Sequence, residues 1–459
     1  MILKYSRVLF SLLLALVMFW GCQDPSRTSF PQILTYTYDE DTRKLINILE
    51  KDKQNKKYLG FDRRYKGLMV PQSLLLRFEP FVLALSTESK IPAVLLLDAP
   101  WVQRYGVAGW LYELETARFF SREELVPSVA EAFSVELEQV TSETGKKLVA
   151  VPSYIKGNIL FYRRDLLKKQ GLEAPRTWEE LRAACRKVIR PGSKVKYGLI
   201  LHVTNFLNDF YPILWGYGGR VIDRGGRLVL GEPKNLEACT MALRDLKEMQ
   251  GTIIPGPERL KLFAKSKSLR QSFYQGEALF MINWNTRTYN LRDMIKQCQD
   301  PQVGCLTSFD QVGVAPIPSQ QGHQQRFSNI GSFGWGVNRF SVTPDRLWVI
   351  DQAREFIRLV TDKRFQIENA VKYDHVPSLL QALKEVKKLV KEQKVHPKVL
   401  EVYENVFALK KVRLKPRPYS RHVNNVLEKH LVEVLLLSER TPEEALQAAL
   451  QDLQGPGPS

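Results

Sequence analysis

Residues 92–101, PAVLLLDAPW, constrain the fold more than any other stretch of the chain. A continuous apolar run bounded by proline suits a strand of a parallel sheet, buried on both faces. The run ends at Asp98, with Pro100 and Trp101 just beyond it. In open α/β sheets, ligand groups gather past the carboxyl ends of strands, which is where Asp98 and Trp101 fall.

The rest of the chain repeats this theme. PQILTYTYDE and RYKGLMV read as strands, each followed by a helical stretch. LVAVPSYIKGNILFYRRDLL reads as strand, turn, strand and helix, and KYGLIL as another strand. LNDFYPILWGYGG is an aromatic helix ending on glycines, as helix C-termini prefer. RVIDRGGRLVL reads as a hairpin, NLEACTMALRDLKEM as an amphipathic helix, and SFYQGEALFMINWNTR as helix into strand through Gly276. VGVAPIP and SFGWGVNRF are short strands, and DRLWVIDQAREFIRLVTD is helical. SREE, TWEE and TPEE, starting at Ser121, Thr177 and Thr441, are capping boxes, so Trp178 belongs to core packing. Strands alternating with helices predict an α/β architecture. At 459 residues the chain exceeds one small core, and two lobes are expected.

The first 21 residues stand apart. Lys4 and Arg7 precede an apolar run from Leu9 to Trp20, which has the length of a signal peptide. Gly21 then precedes Cys22, as in a bacterial lipoprotein signal, although Phe19 stands where Leu is usual. The expectation is export with Cys22 lipidated and a membrane-anchored body at the periplasm or cell surface. A plain cleaved signal is the alternative.

Lysine and arginine outnumber aspartate and glutamate by 67 to 49, a formal net charge of +18. An exported chain seldom meets nucleic acid, so anionic headgroups, an acidic transporter surface or an anionic solute are the partners such charge suits. Cys185 and Cys239 sit in helix-like patterns and read as buried thiols. Cys298 and Cys305 flank Asp-Pro and Gly, where export makes a local disulfide plausible. The six histidines are scattered, and no metal-ligand spacing occurs.

The signatures of several chemistries are missing. There is no Gly-Lys-Ser or Gly-Lys-Thr, no GxGxxG and no HExxH, and IGSFG around Ser332 lacks the first glycine of a nucleophile elbow. Abundant instead are aromatic, glycine-bearing loops: DAPW, PSYIKGN, LWGYGG, INWNTR, IGSFGW and KPRPYSRH. Sugars present apolar CH faces and a rim of hydroxyls, which such loops can match.

Taken in order, these blocks resemble the extracellular solute-binding proteins of family 1, the maltose-, trehalose- and multiple-sugar-binding lipoproteins of ABC importers. The resemblance covers most of residues 30–453. Its most recognisable block is LVAVPSYIKGNILFYRRDLLKKQGLEAPRTWEEL, followed by LWGYGGRVID, FYQGEALFMINW, VGVAPIP and TPEEAL. It implies a two-lobed, type II periplasmic-binding-protein-like α/β fold with the ligand cleft between discontinuous lobes joined by crossover hinge segments. The expected division is 1–21 signal peptide, 22–29 tether, 30–148 and 288–343 lobe 1, 149–287 and 344–453 lobe 2, and 454–459 flexible tail.

The resemblance also suggests a site. Asp98 and Trp101 match the family's first-lobe ligand loop, Asp98 accepting sugar hydroxyls or else capping a helix or forming a hinge ion pair. Tyr154 could face ligand. Trp215 and Tyr217 precede a Gly-Gly turn where an aromatic often enters the cleft, with helix-end packing equally open. Trp284 is the leading stacking residue, with Arg287 nearby. Ser332 and Phe333 replace a frequent Gly-Gly pair, and Trp335 suits the core. Arg417 matches an Arg-Pro that could clamp hydroxyls or an anion. Lys156 stands where an acidic or neutral residue is commoner, and with Arg287 and Arg417 it would suit a charged sugar. Arg163, Arg164 and Asp165 are expected to fix a strand-to-helix turn by ion pairing.

The implied function is a lipid-anchored, monomeric substrate-binding component of an ABC transporter that delivers a carbohydrate to its permease, with no enzyme activity, no cofactor, no metal and no nucleic acid. The same fold with a polyol phosphate, a polyamine or another small solute stays open, as do an exported glycosidase and an adhesin.

Overall fold

The computed structural model describes residues 32–36, 66–70, 79–115, 120–136, 145–202, 206–223, 226–262, 266–296, 305–409, 412–416, 418, 420–436 and 440–454. Cys22, Cys298 and Arg417, the expected signal and tether, and residues 455–459 of the expected tail lie outside them, while Gln454, placed in the tail, ends a helix. The strands are β1 (Gln32–Tyr36), β2 (Lys66–Val70), β3 (Val94–Asp98), β4 (Ser134–Glu136), β5 (Lys146–Leu148), β6 (Ala150–Pro152), β7 (Asn158–Arg163), β8 (Tyr197–Ile200), β9 (Ala278–Trp284), β10 (Val312–Ala315), β11 (Arg326–Asn329), β12 (Phe333–Val337) and β13 (Val412–Lys415).

Two sheets organise them. The first runs β2-β1-β3-β12-β6 and the second β10-β7-β9-β8, while β11–β13 and β4–β5 form separate pairs. The VLLLD run is β3, with Val94 to Leu97 fully buried and Asp98 half-buried at its end. Its burial follows from its place inside the sheet, parallel to β1 on one side. On the other side β12 is antiparallel to it, so the sheet is mixed where the apolar run suggested a parallel one.

Helices cover both sheets. The helix Ala99–Val107 packs on β3 and β12, and the helix Trp348–Thr361 packs on β6. Phe356 of the latter meets Trp335 of β12 edge-on at 5.1 Å, which places Trp335 in the core. In the second lobe the helix Phe206–Gly216 lies on β7 and β11, and the helix Ser266–Tyr274 on β9. Trp178 is buried, and Thr177 caps its helix by accepting the Glu180 amide at 3.2 Å. The Glu180 carboxylate takes the Arg176 amide instead of the cap's own, so this box is half formed. Arg163 pairs with Asp165 through two bonds of 2.7 and 2.8 Å, and Arg164 pairs with Glu401, fixing the turn after β7.

Sheet membership redraws the expected lobe boundaries. β10, placed in lobe 1 by the sequence, is hydrogen-bonded to β7 of the second sheet. The helices spanning 348–373, placed in lobe 2, lie with the first sheet, where Ser153 also donates to the Val360 carbonyl at 2.7 Å. Alternation of strand and helix identifies elements, whereas the sheet each strand joins is decided by partners distant in sequence. The chain crosses between sheets at 153–157 and again at 330–332. It returns to the second between Leu379, bridged to Leu125, and Lys398, whose ammonium donates to the Val312 carbonyl at 2.6 Å.

Candidate functional site

The two crossings are tied to each other. Gly331 donates to the Lys156 carbonyl at 2.9 Å, and the Lys156 amide donates to Ser332 Oγ at 2.8 Å. Asn285, just after β9, accepts the Gly157 amide at 2.8 Å and donates to the Ile155 carbonyl at 3.1 Å. Gly157 leaves no slack here: a Cβ would stand 2.7 Å from Ser328 Oγ, so a side chain would displace that hydroxyl or the crossing.

Strand ends from both sheets meet at this junction. Asp98 closes β3, and its Cα partner across the ladder is Phe333, the first residue of β12. Asp98 caps the following helix, accepting the Ala99 amide at 2.9 Å, one of the two alternative roles open in the sequence. The Ala99 amide also reaches the Ser332 carbonyl at 3.2 Å, and Ser332 is fully buried. From the second sheet comes Trp284, the half-buried last residue of β9. Lys156 stands between the lobes' aromatics: its ammonium lies 5.3 Å from the Trp284 ring centroid and 5.6 Å from that of Phe333. Lys156 is 7% exposed. A cation over an aromatic face at this range contributes about 2 kcal/mol when desolvated.

The structure thus brings Asp98, Trp284, Ser332 and Phe333 together, with Lys156 among them. Arg287 ends the short turn Asn285–Arg287 that follows Trp284, and its Nη1 donates to Asn290 at 3.5 Å. The other expected residues pack against neighbours of their own. Trp101 is buried against Tyr105, ring centroids 5.1 Å apart, under the Arg104 guanidinium. Tyr154 stacks on His375 at 4.2 Å beside the first crossing. Trp215 stacks on Tyr211 at 5.7 Å and meets Phe327 edge-on at 6.0 Å. Tyr217 is buried and donates its hydroxyl to Asp245; burial first, then that carboxylate, hold its pKa far above the usual tyrosine range. Cys185 and Cys239 are buried thiols, Cys185 pushed by burial up to about 12, and Cys305 is disulfide-bonded to a partner outside the described residues.

Three residues escaped the sequence reading. Asn285 carries no signal beyond following an aromatic at a strand end. The fully buried Asp209 accepts from Asn158 and from the His202 amide at 2.9 Å, with His202 Nδ1 at 3.1 Å, anchoring β7 to the helix Phe206–Gly216. Glu428 accepts the Phe206 and Leu207 amides at 2.6 and 3.2 Å, satisfying the start of that helix from a distant segment.

With this geometry described, likeness to known proteins becomes informative. The model of the family described as bacterial extracellular solute-binding protein matches residues 81–367. The "Probable ABC transporter-binding protein" of Deinococcus radiodurans is 26% identical over 273 residues, 58% of this chain and 59% of that relative, so the match spans less than two thirds of the relative's length. Maltose-bound T. maritima MalE3 superposes with a TM-score of 0.64 at 24% identity, covering 92% of this chain and 99% of that one. The GacH receptor of Streptomyces glaucescens GLA.O, solved unliganded and with acarbose, gives a TM-score of 0.63 at 18% identity, covering 93% and 98%. At such identities these two structures establish the two-lobed α/β fold. A family match over more than half of the chain, carried on that fold, makes this protein a member of the bacterial extracellular solute-binding proteins.

Proposed function

We propose that the protein is the lipid-anchored substrate-binding component of an ABC transporter, capturing a carbohydrate between its lobes and delivering it to the permease. The observation that carries this reading is the meeting of Trp284 from one sheet with Asp98, Ser332 and Phe333 from the other at the crossovers. Aromatic faces suit sugar CH faces, and Asp98 suits hydroxyl donors. Solute held by both lobes shifts an open–closed equilibrium through differential affinity, and no bond is made or broken. Cys22 would carry the lipid and hold the body at the outer face of a membrane, as a monomer without a cofactor.

The test is thermal unfolding of the full chain in detergent against mono-, di- and oligosaccharides and polyols. A ligand that binds only the folded state raises the midpoint by mass action. A rise with a saccharide that disappears in Trp284→Ala is expected. Turnover of the saccharide, or a midpoint indifferent to every solute, would refute the reading.

A further inference from the structure

The end of the first sheet farthest from the candidate site carries a surface of its own. β3 begins there at Val94, opposite Val337 where β12 ends, whereas Asp98 and Phe333 mark the site at the other end. Hydrogen bonds gather three segments at this pole. The Asn338 side chain donates to the Ser89 and Pro92 carbonyls at 2.8 and 2.9 Å, Ser341 Oγ to the Lys90 carbonyl at 2.7 Å, and the Arg339 amide to the Trp110 carbonyl at 3.0 Å.

Among the described residues, the three most exposed large aliphatic side chains are Val107, Leu347 and Leu83, at 67%, 57% and 52%. All three belong to these segments. Val107 stands three residues before Trp110, and the Leu83 carbonyl accepts from Thr87 Oγ1 at 2.8 Å, where the chain turns towards Ser89. Leu347 follows the turn Pro344–Arg346; the Thr343 hydroxyl first, then the nearby Lys90 ammonium, hold the Asp345 carboxyl of that turn below its usual value. Trp110, Phe340 and Trp348 are half-buried beside them, and the Arg346 guanidinium lies 5.6 Å from the Trp348 ring centroid. Across 83–92, 104–110 and 338–348 the charged residues are Lys90, Arg104, Arg339 and Arg346 against Glu88 and Asp345. A single exposed aliphatic residue calls for no explanation, but a group of them with tryptophans and surplus cations matches a lipid–water boundary. Long basic side chains keep their charge at headgroup level while their stems lie along apolar surface.

The path of the chain points the same way. β1 runs parallel to β3 with Ile33 opposite Val94, so the chain enters the sheet at this pole. Nine residues separate Cys22 from Gln32, a reach of at most about 35 Å. A lipid on Cys22 would keep this pole close to its bilayer, and a tether raises the population of a contact too weak to hold alone.

We propose that this pole of the first lobe rests on the anionic phospholipid bilayer that carries the anchor, with Val107 and Leu347 at the headgroup boundary and Lys90, Arg339 and Arg346 facing phosphates. This rests on the reading of Cys22 as the lipid carrier. The site at the far end of β3 stays clear for solute.

The test places an environment-sensitive fluorophore on Val107→Cys in the full chain, reconstituted in phosphatidylglycerol–phosphatidylethanolamine vesicles. The same label on Lys234→Cys, exposed on the second-lobe helix Pro233–Glu248, is the control. A blue shift relative to detergent is expected at 107 and not at 234, lost in phosphatidylcholine vesicles and at high salt. Arg339→Glu combined with Arg346→Glu should lower the ratio of bound to free label at least about tenfold, since each basic residue near an anionic surface is worth about a fivefold factor. No shift at 107, an equal shift at 234, or a shift indifferent to lipid charge and to the double variant overturns the proposal. So does a shift in detergent that grows with protein concentration, the mark of a second copy on this face. Flotation with the vesicles at high salt reports the anchor separately. A chain that fails to float there loses the lipid on Cys22, and low-salt flotation that depends on Arg339 and Arg346 still upholds the contact.

Discussion

Gly331 makes room for Trp284: a Cβ on Gly331 would stand 2.7 Å from two carbons of the indole's six-membered ring. The last residue of β9 is thus seated on the backbone of the crossing that leads to β12.

Gly331→Ala must therefore move the indole or the crossing. Overpacking of this kind costs about 1–3 kcal/mol. Urea unfolding should show that loss, accompanied by a shifted tryptophan emission that Trp284→Phe abolishes. Unchanged emission and stability would mean that the two residues do not touch in solution.

Asn285 should behave as a fastener of the first crossing. Asn285→Ala removes the partners of the Gly157 amide and the Ile155 carbonyl, at about 1–3 kcal/mol for each buried group left unsatisfied. Hydrogen exchange provides the local readout, with the Gly157 amide losing protection more than amides at the centre of β3.

Glu277 gives a pH dependence with a definite sign. Burial pushes its carboxyl up, but hydrogen bonds from Lys196 and Ser272, each 2.7 Å, outweigh burial and leave it below the usual value of 4.5. A depressed folded pKa contributes stability above about pH 4.5, lost as pH falls through the lower folded value. Between pH 5 and pH 3, wild type should lose more stability than Glu277→Gln in parallel urea titrations. Equal losses would remove Glu277 from the account.

Thr441 begins the helix Pro442–Gln454 with a complete capping box: the Thr441 amide donates to Glu444 at 2.8 Å and the Glu444 amide to Thr441 Oγ1 at 3.2 Å. Thr441→Ala should cost about 1 kcal/mol, and Thr441→Ser much less. Thermal melts of the two variants give the comparison.

Much of this fold was legible because it is local. The β3 run, the capping residues at Ser121 and Thr441, and the Arg163–Asp165 turn each depend on neighbours a few positions away. Trp284 was legible for the same reason, an aromatic closing an apolar strand. Which sheet β10 joins, and which lobe the helix Trp348–Thr361 covers, depend on partners far along the chain and left no local trace. The same applies to Trp215 and Tyr217. Their aromatic character was visible, while Phe327 and Asp245, which engage them, were not. Lys156 drew notice by its charge, but its place between two rings required the tertiary structure.

The position of β12 between β3 and β6 has a consequence for biogenesis. Both neighbours leave the ribosome long before β12 does, and the four strands of the second sheet and β11 intervene. Until β12 arrives, β6 has no partner in the first sheet, and β3 shows an open edge rich in leucine. Closing so long a loop precedes any reward from the contacts it makes, which slows folding and prolongs exposure of that edge. In a chain built this way the first sheet closes only once β12 has been made.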